Sequence, residues 1–431
     1  MKPRVLLPVS LVFGLVVPAA FSQEPVPATT FEERLVQILK ERGLVDEAAK
    51  KELLDLALRM RAAEATKKGD LDKEIRTLAA AFETTGQDQT PSLKISYKKG
   101  FLLETPEGDF SLRLGAKTQM RATYVDSDED GPAGDSLSIA VNRLRLEFEG
   151  NAYGKELTYK FVPELRGGSV SLRDGYLNYA FDRELQIRAG QYKVPFSRQE
   201  LVSAFRQQFV DRSFVTDLFA PGREPGVMVH GGLSEGMFEY ALGGFNGDGQ
   251  NVNTNDDNAL RWAARVAVNP LGPVPYSEGD LDRTQEPRIG IGANFFHNPV
   301  RAVSPDVDVD AFGFDGVFFL QGLSVQGEWF VRRSDADTGP TATDVGGYLQ
   351  AGYCLENGWE GAVRLAGASF DDDVLAAGAT RQQREYQLAV SRYFRKHDLK
   401  LQADVTRRVV DVFGGGDLED SVLRAQFEVA F

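Results

Sequence analysis

From Phe110 onward the chain alternates apolar and polar side chains with a period of two. In SLRLGAKTQMRATY, Leu112, Leu114, Ala116, Thr118 and Met120 share one parity, while Arg113, Lys117, Gln119 and Arg121 share the other. NRLRLEFEG likewise sets Leu144, Leu146 and Phe148 against Arg143, Arg145, Glu147 and Glu149. A period of two places the two sets on opposite faces of a β-strand. About sixteen such segments follow one another, most of ~8–12 residues, the length a tilted strand needs to cross a bilayer. The final residues, SVLRAQFEVAF, keep the scheme. Leu423, Phe427, Val429 and Phe431 oppose Arg424, Gln426 and Glu428, so the pattern runs to the last residue without a polar tail.

The links between segments alternate too. Short turns at 151–154, 182–183, 234–236, 321–322, 356–358 and 395–397 interleave with long polar links. The long links are 125–137, 193–225, 247–258, 298–308, 334–343, 371–381 and 410–419. An up-and-down transmembrane barrel has one rim of short turns and one of longer loops. Pro270–Pro287 breaks the rule, being long on the short-turn side. A soluble sandwich would also alternate, but nearly every polar face here carries charge, and aromatic residues flank the apolar runs as interfacial girdles do. These aromatics are Phe148, Tyr153, Tyr159, Tyr179, Phe181, Trp262, Phe295, Trp329, Trp359, Phe394 and Phe431. The expected fold is therefore all-β: an antiparallel membrane barrel of about 16 strands over residues 91–431.

The first ninety residues read differently. Lys2 and Arg4, the apolar run Val5–Ala20 and the small residues around Ala20-Phe21-Ser22 form an export signal over residues 1–22. Residues 23–90 then hold apolar positions at helical spacing, Phe31, Leu35, Ile38 and Leu39 followed by Leu53, Leu54, Leu56 and Leu58. This predicts a helical, coiled-coil-like segment, left in the periplasm when an even strand count returns both barrel ends to that rim. A flexible helical spacer fits the same irregular heptads.

Composition narrows the function. The formal net charge of −14 argues against nucleic acid as a partner. Beyond the signal no run approaches the ~20 apolar residues of a spanning helix. Cys354 is the single cysteine, so no intramolecular disulfide forms, and its strand context favours packing over nucleophilic chemistry. His230, His297 and His397 are scattered, without a metal-binding spacing, and DSDEDG and NTNDDN read as solvated acidic loops. No enzyme, metal or cofactor is expected.

The stretch Leu172–Val229, with RDGYLNY, RAGQYKVPFS, FVDRS and APGREPGV, resembles the phosphate-selective porins (porins O and P) of Gram-negative outer membranes. NRLRLEFEG and GFLLETPEGDFSLRLGAK fit as well, and the resemblance covers roughly residues 100–431. It implies a 16-stranded barrel in the outer membrane, assembly as a homotrimer, and a long loop folded inward to narrow the pore. It also implies conduction of small, often anionic solutes. A terminal strand ending in an aromatic, here Phe427, Val429 and Phe431, implies recognition by the barrel assembly machinery.

The residues themselves supply the pore chemistry. The link 193–225 is the longest, and Ser197–Glu200 reads as a capping box opening a helix to about Phe209. Its Lys193, Arg198, Arg206, Arg212 and Arg223 are candidate channel-lining cations, since arginine binds oxyanions in a bidentate way. Pairing with Glu200, Asp211, Asp217 and Glu224 is the competing reading. Parity turns Arg113, Lys117, Arg121, Arg143, Arg145, Arg261 and Arg265 toward the lumen, among about fourteen basic positions. They face about eleven acidic ones, Glu156 included. The wall is thus mixed with a slight positive lean, and phosphate selectivity stays open. The functional expectation is a water-filled porin for passive diffusion. The alternative is a structural envelope protein whose barrel anchors a periplasmic tether.

Overall fold

The computed structural model describes residues 93–127, 135–255, 257–301 and 305–431, together with Lys51, Glu52 and Asp55. The export signal 1–22 lies outside the described residues, as does nearly all of the helical segment 23–90. A small hairpin, β1 (Lys94–Tyr97) and β2 (Phe101–Glu104), leads into β3 (Ser111–Ser127) and β4 (Ser136–Asn151). Six shorter strands follow: β5 (Leu157–Arg166), β6 (Ser169–Ala180), β7 (Gln186–Lys193), β8 (Arg223–Leu233), β9 (Phe238–Phe245) and β10 (Arg261–Val268). The long wall begins with β11 (Arg288–Val300), β12 (Val307–Leu320), β13 (Leu323–Ala336) and β14 (Ala342–Cys354). It ends with β15 (Trp359–Ser369), β16 (Thr380–Arg395), β17 (Leu399–Val412) and β18 (Asp417–Ala430).

From β3 to β18 each strand pairs antiparallel with the next, and β18 pairs with β3. Sixteen strands therefore close into a barrel, which leaves no edge at the seam. Closure extends past β18. Phe431 N donates to Ala116 O at 3.0 Å, and Ala116 N donates to Phe431 O at 2.9 Å. Below that point β2 occupies the same edge of β3, pairing Phe101 with Leu114 and Glu104 with Ser111.

The pleat does what the alternation required. Leu349, Leu365, Leu388 and Leu423 stand exposed on the outer face, while Gln350, Arg364, Gln387 and Gln426 point inward and are buried. Tyr153, Tyr179, Phe181, Trp359, Phe394 and Phe431 are all exposed near the short-turn rim. Glu156 is a correction: it lies exposed in the turn before β5, not on the inner wall, because the strand begins only at Leu157.

The rims depart from strict alternation twice. The 269–287 link is long on the short-turn rim, as the sequence indicated. On the other rim β5 and β6 join through Gly167 and Gly168 alone, with φ of 56° and 82°. Two successive positive φ values are what a tight I′ hairpin needs, and glycine supplies them without strain. The wall is low there. β5 pairs with β4 only between Arg145 and Asn151, so Ser136–Asn142 is extended strand without a strand partner on that side among the described residues. Leu137 and Ile139 within it are 72% and 83% exposed.

Candidate functional site

The link between β7 and β8 folds into the barrel and is held by an apolar core inside the lumen. Val194, Phe196, Val215 and Phe219 from the loop pack with Tyr192, Phe245, Phe296, Ala311, Phe330 and Tyr348 of the wall. Phe196 meets Phe296 edge-on at 5.0 Å, and Phe330 stacks on Phe196 at 5.7 Å and Phe219 at 5.5 Å. Wall glycines make the close approach feasible. A Cβ at Gly346 would lie 2.6 Å from the Phe219 ring, and one at Gly352 would lie 2.0 Å from Gln208 Nε2.

The helix expected from Ser197 to Phe209 is shorter, and this is a correction. α1 spans Arg198–Leu201 and α2 spans Phe214–Phe219. Ser197 Oγ does accept from Glu200 N at 3.1 Å, so the cap forms. The backbone turns extended at Val202, with ψ of 136°, and side chains satisfy the carbonyls that the helix end leaves orphaned. Lys193 Nζ donates to Leu201 O and Val202 O at 3.2 and 2.9 Å, and Arg212 donates to Gln199 O and Val202 O at 3.0 and 2.7 Å.

Cross-lumen ion pairs fix the rest of the loop. The Asp211 carboxylate accepts from Arg121 at 2.7 and 2.9 Å and from Arg424 at 3.2 Å, with Arg143 at 3.5 Å. Burial alone would raise the Asp211 pKa, but the hydrogen bond and charge of Arg121, with Arg143 and Arg424, hold it below the ordinary aspartate value. Val210 N donates to Asp404, Lys400 Nζ to Gln207 O, and Arg364 Nη1 to Asp211 O. The inner faces of β13–β18 are thereby covered: Glu328, Glu360, Arg364, Lys400, Asp404 and Glu428 are each at most 4% exposed.

A cavity of about 880 Å³ lies on the β3–β10 side, reaching the short-turn rim at Phe431 and Gly236. Its lining includes Lys98, Lys99, Arg113, Lys117, Arg145, Lys160, Arg183, Arg188, Lys193, Arg206, Arg223 and Arg265. Against these twelve cations stand five carboxylates: Glu147, Glu149, Asp174, Glu239 and Asp398. The vestibule is thus far more basic than the whole inner wall.

A model of the family described as phosphate-selective porin O and P matches residues 114–431. The chain belongs to that family. It is an outer-membrane porin, a non-enzymatic channel of the Gram-negative outer membrane. Solved porin barrels are similar in fold. The anion-selective porin of Comamonas acidovorans is 13% identical with a TM-score of 0.55, over 75% of this chain and all of the other. The outer-membrane channel DcaP of Acinetobacter baumannii is 15% identical with a TM-score of 0.56, over 76% of this chain and 99% of that one. An uncharacterized protein of Aquifex aeolicus is 24% identical, covering 57% of this chain and 69% of its own length.

Within the porin the candidate cations separate by partner. Arg113 pairs with Glu149, Arg145 with Glu164 and Arg261 with Glu224, while Lys117 sits 2.9 Å from Glu147. Arg265 holds Asp315 at 2.9 Å, Arg223 holds Asp174 at 2.9 Å, and Arg143 donates to Gln119 at 2.7 Å. Arg212 lies 3.2 Å from Glu200, and Lys193 is engaged by carbonyls. Arg198 is buried, donates to Pro275 O at 2.6 Å and lies 4.7 Å over the Tyr276 ring. Arg206 alone among the five loop cations is exposed and lacks a carboxylate partner among the described residues. Pairing is therefore general, but it joins different elements, strand to strand for most of these cations and loop to strand at Asp211, rather than sequence neighbours. Asp211 meets Arg121 instead of Arg212, and Glu224 meets Arg261 instead of Arg223.

Three vestibule cations carried no sequence signal of pore function: Lys98 and Lys99 at the β1–β2 turn, and Arg183 in the β6–β7 turn. A turn residue has no parity to read. Arg188, placed on the wall by parity, stacks on Tyr176 at 4.5 Å and has no carboxylate partner among the described residues.

Proposed function

We propose that this porin prefers small anionic solutes. The observation that supports it is the imbalance of the vestibule, where twelve cations meet five carboxylates and Arg188 and Arg206 are free of carboxylates among the described residues. A low-dielectric wall lined by one sign concentrates ions of the other. Reversal potentials of single channels in a salt gradient, with chloride and then phosphate as the anion, test this. A cation-selective channel would refute it, and phosphate competing with chloride would add oxyanion binding to the vestibule cations.

In the same reading the inward loop at 193–225 is the constriction, and the short-turn rim faces the periplasm together with the 23–90 segment. Phe427, Val429 and Phe431 present the assembly signal. The porin assembles as a trimer. The Ser136–Asn142 edge, unpaired on one side among the described residues and carrying the exposed Leu137, Ile139 and Val141, supports this, because an open apolar strand edge is a surface that another copy can cover. Native mass measurement of the detergent-extracted protein tests it, with a lone monomer as the contrary result.

A further inference from the structure

We propose that Glu278, on the 269–287 link, is a positioning residue that holds Arg206 in the channel and so sets ion preference from the short-turn rim. This rests on the reading of an anion-preferring channel narrowed by the loop between β7 and β8.

The 269–287 link was the connection that broke the alternation of turns, and its length is used inside the lumen. Glu278 is 1% exposed. Its Oε2 accepts from Gln208 N at 2.8 Å, and its Oε1 accepts from Gln199 Nε2 at 2.8 Å and from the wall residue Gln326 at 3.4 Å. Its backbone N–H donates to Arg206 O at 3.0 Å. One residue thus grips the constriction loop at 199, 206 and 208, both ends and the interior of a single arc. Its carbonyl is in turn within 3.0 Å of His397 Nε2, which ties the contact to the β16–β17 turn.

What the arc presents is Arg206, together with Phe205, whose ring lies 5.7 Å from Lys117 Nζ and 5.4 Å from the Arg145 guanidinium. A cation free of carboxylate partners acts on permeating ions strongly only where its position is fixed, since the interaction falls with distance and with screening. The buried Glu278 carboxylate supplies that fixation. Loss of the carboxylate leaves the backbone contact to Arg206 O but removes the acceptors of Gln208 N and one Gln199 Nε2 bond, which loosens the arc although Glu328, Glu360 and Gln402 still hold its two glutamines.

The full-length protein in planar bilayers decides the matter. Glu278→Ala is expected to lower the anion-to-cation permeability ratio about two- to threefold and to add open-channel noise. Arg206→Ala should lower the ratio equally without the noise, and the double variant should fall no further. Glu278→Gln keeps one acceptor oxygen and should retain part of the preference; it serves as the deciding variant if the alanine form fails to assemble. A purely structural role would reduce the yield of folded barrel and leave the ratio of surviving channels unchanged, which would overturn the proposal. Additive losses in the double variant would overturn it as well. A wild-type protein without ion steps would instead refute the channel reading itself.

Discussion

The two halves of the lumen began as the same kind of wall. On β3–β10 and on β13–β18 alike, every second residue points inward and many are charged. On β13–β18 most of those groups are buried beneath the loop 193–225, where amides, carbonyls or opposite charges meet them. Lys400, 0% exposed, donates to Gln207 O, and Arg364 lies 4.0 Å over the Phe209 ring. On β3–β10 Arg113, Lys117, Lys160 and Arg188 border open space, while Arg145, Arg223 and Arg265 are paired and at most 6% exposed at its edge. Parity says that a residue is inside the barrel; it does not say whether the inside is water or protein. The ionic character of the pore comes from which half the loop leaves uncovered.

The contrast is most severely broken by removing what holds the loop down. Phe330→Ala should cost about 3–5 kcal/mol of packing, as expected for an aromatic deleted from a close-packed site. Unseating the loop would expose the covered half and raise single-channel conductance; unchanged conductance would mean that the aromatic core does not position the loop.

Asp211→Asn comes next. It leaves Arg121 and Arg424 without the carboxylate they share and should give flickering currents at neutral pH. Because the Asp211 pKa is depressed, its anchoring is fully present above the ordinary aspartate value and is lost only as pH falls through the lower, folded value. Wild-type current should therefore not take on that flicker between pH 7 and about 4. Its onset within that window would contradict the assignment.

A smaller effect separates the halves by charge. Arg188→Gln, on the open side, should lower anion preference about twofold by removing one wall charge. Lys400→Gln, on the covered side, should lower thermal stability yet leave the preference of folded channels intact. Smallest of all, Cys354 is 3% exposed and should resist a charged thiol reagent added to the open channel, with no change in current. Rapid modification would show that the covered half opens.

The barrel itself was readable because lipid and lumen impose a period of two, and 16 strands repeat it. The odd length of 270–287 was visible as well. Its destination was not, since Glu278 is one carboxylate in a polar link and its partners lie on other elements. The loop core left a quieter trace. Ala311, Phe330, Ala366 and Ala368 occupy inward parity without polarity, and such positions mark wall that faces protein rather than water. For the cations, local pairing was the natural reading of Asp211-Arg212 and Arg223-Glu224. Folding exchanged those neighbours for partners on other elements, Arg121 of β3 for Asp211, Asp174 of β6 for Arg223 and Arg261 of β10 for Glu224, a choice that only three-dimensional proximity makes.

Asp211 also joins the two ends of the ring. Arg121 belongs to the first strand of the barrel and Arg424 to the last, and the same carboxylate holds both. During biosynthesis β3 waits for nearly the whole chain before β18 exists to meet it, so sealing bears the loop-closure entropy of the longest contact in the fold. An acid on the inward loop touches both staves of that seam through their side chains. Closing the cylinder and seating the loop therefore share an ion-pair network, and refolding of Asp211→Asn is expected to be slower than that of the wild type.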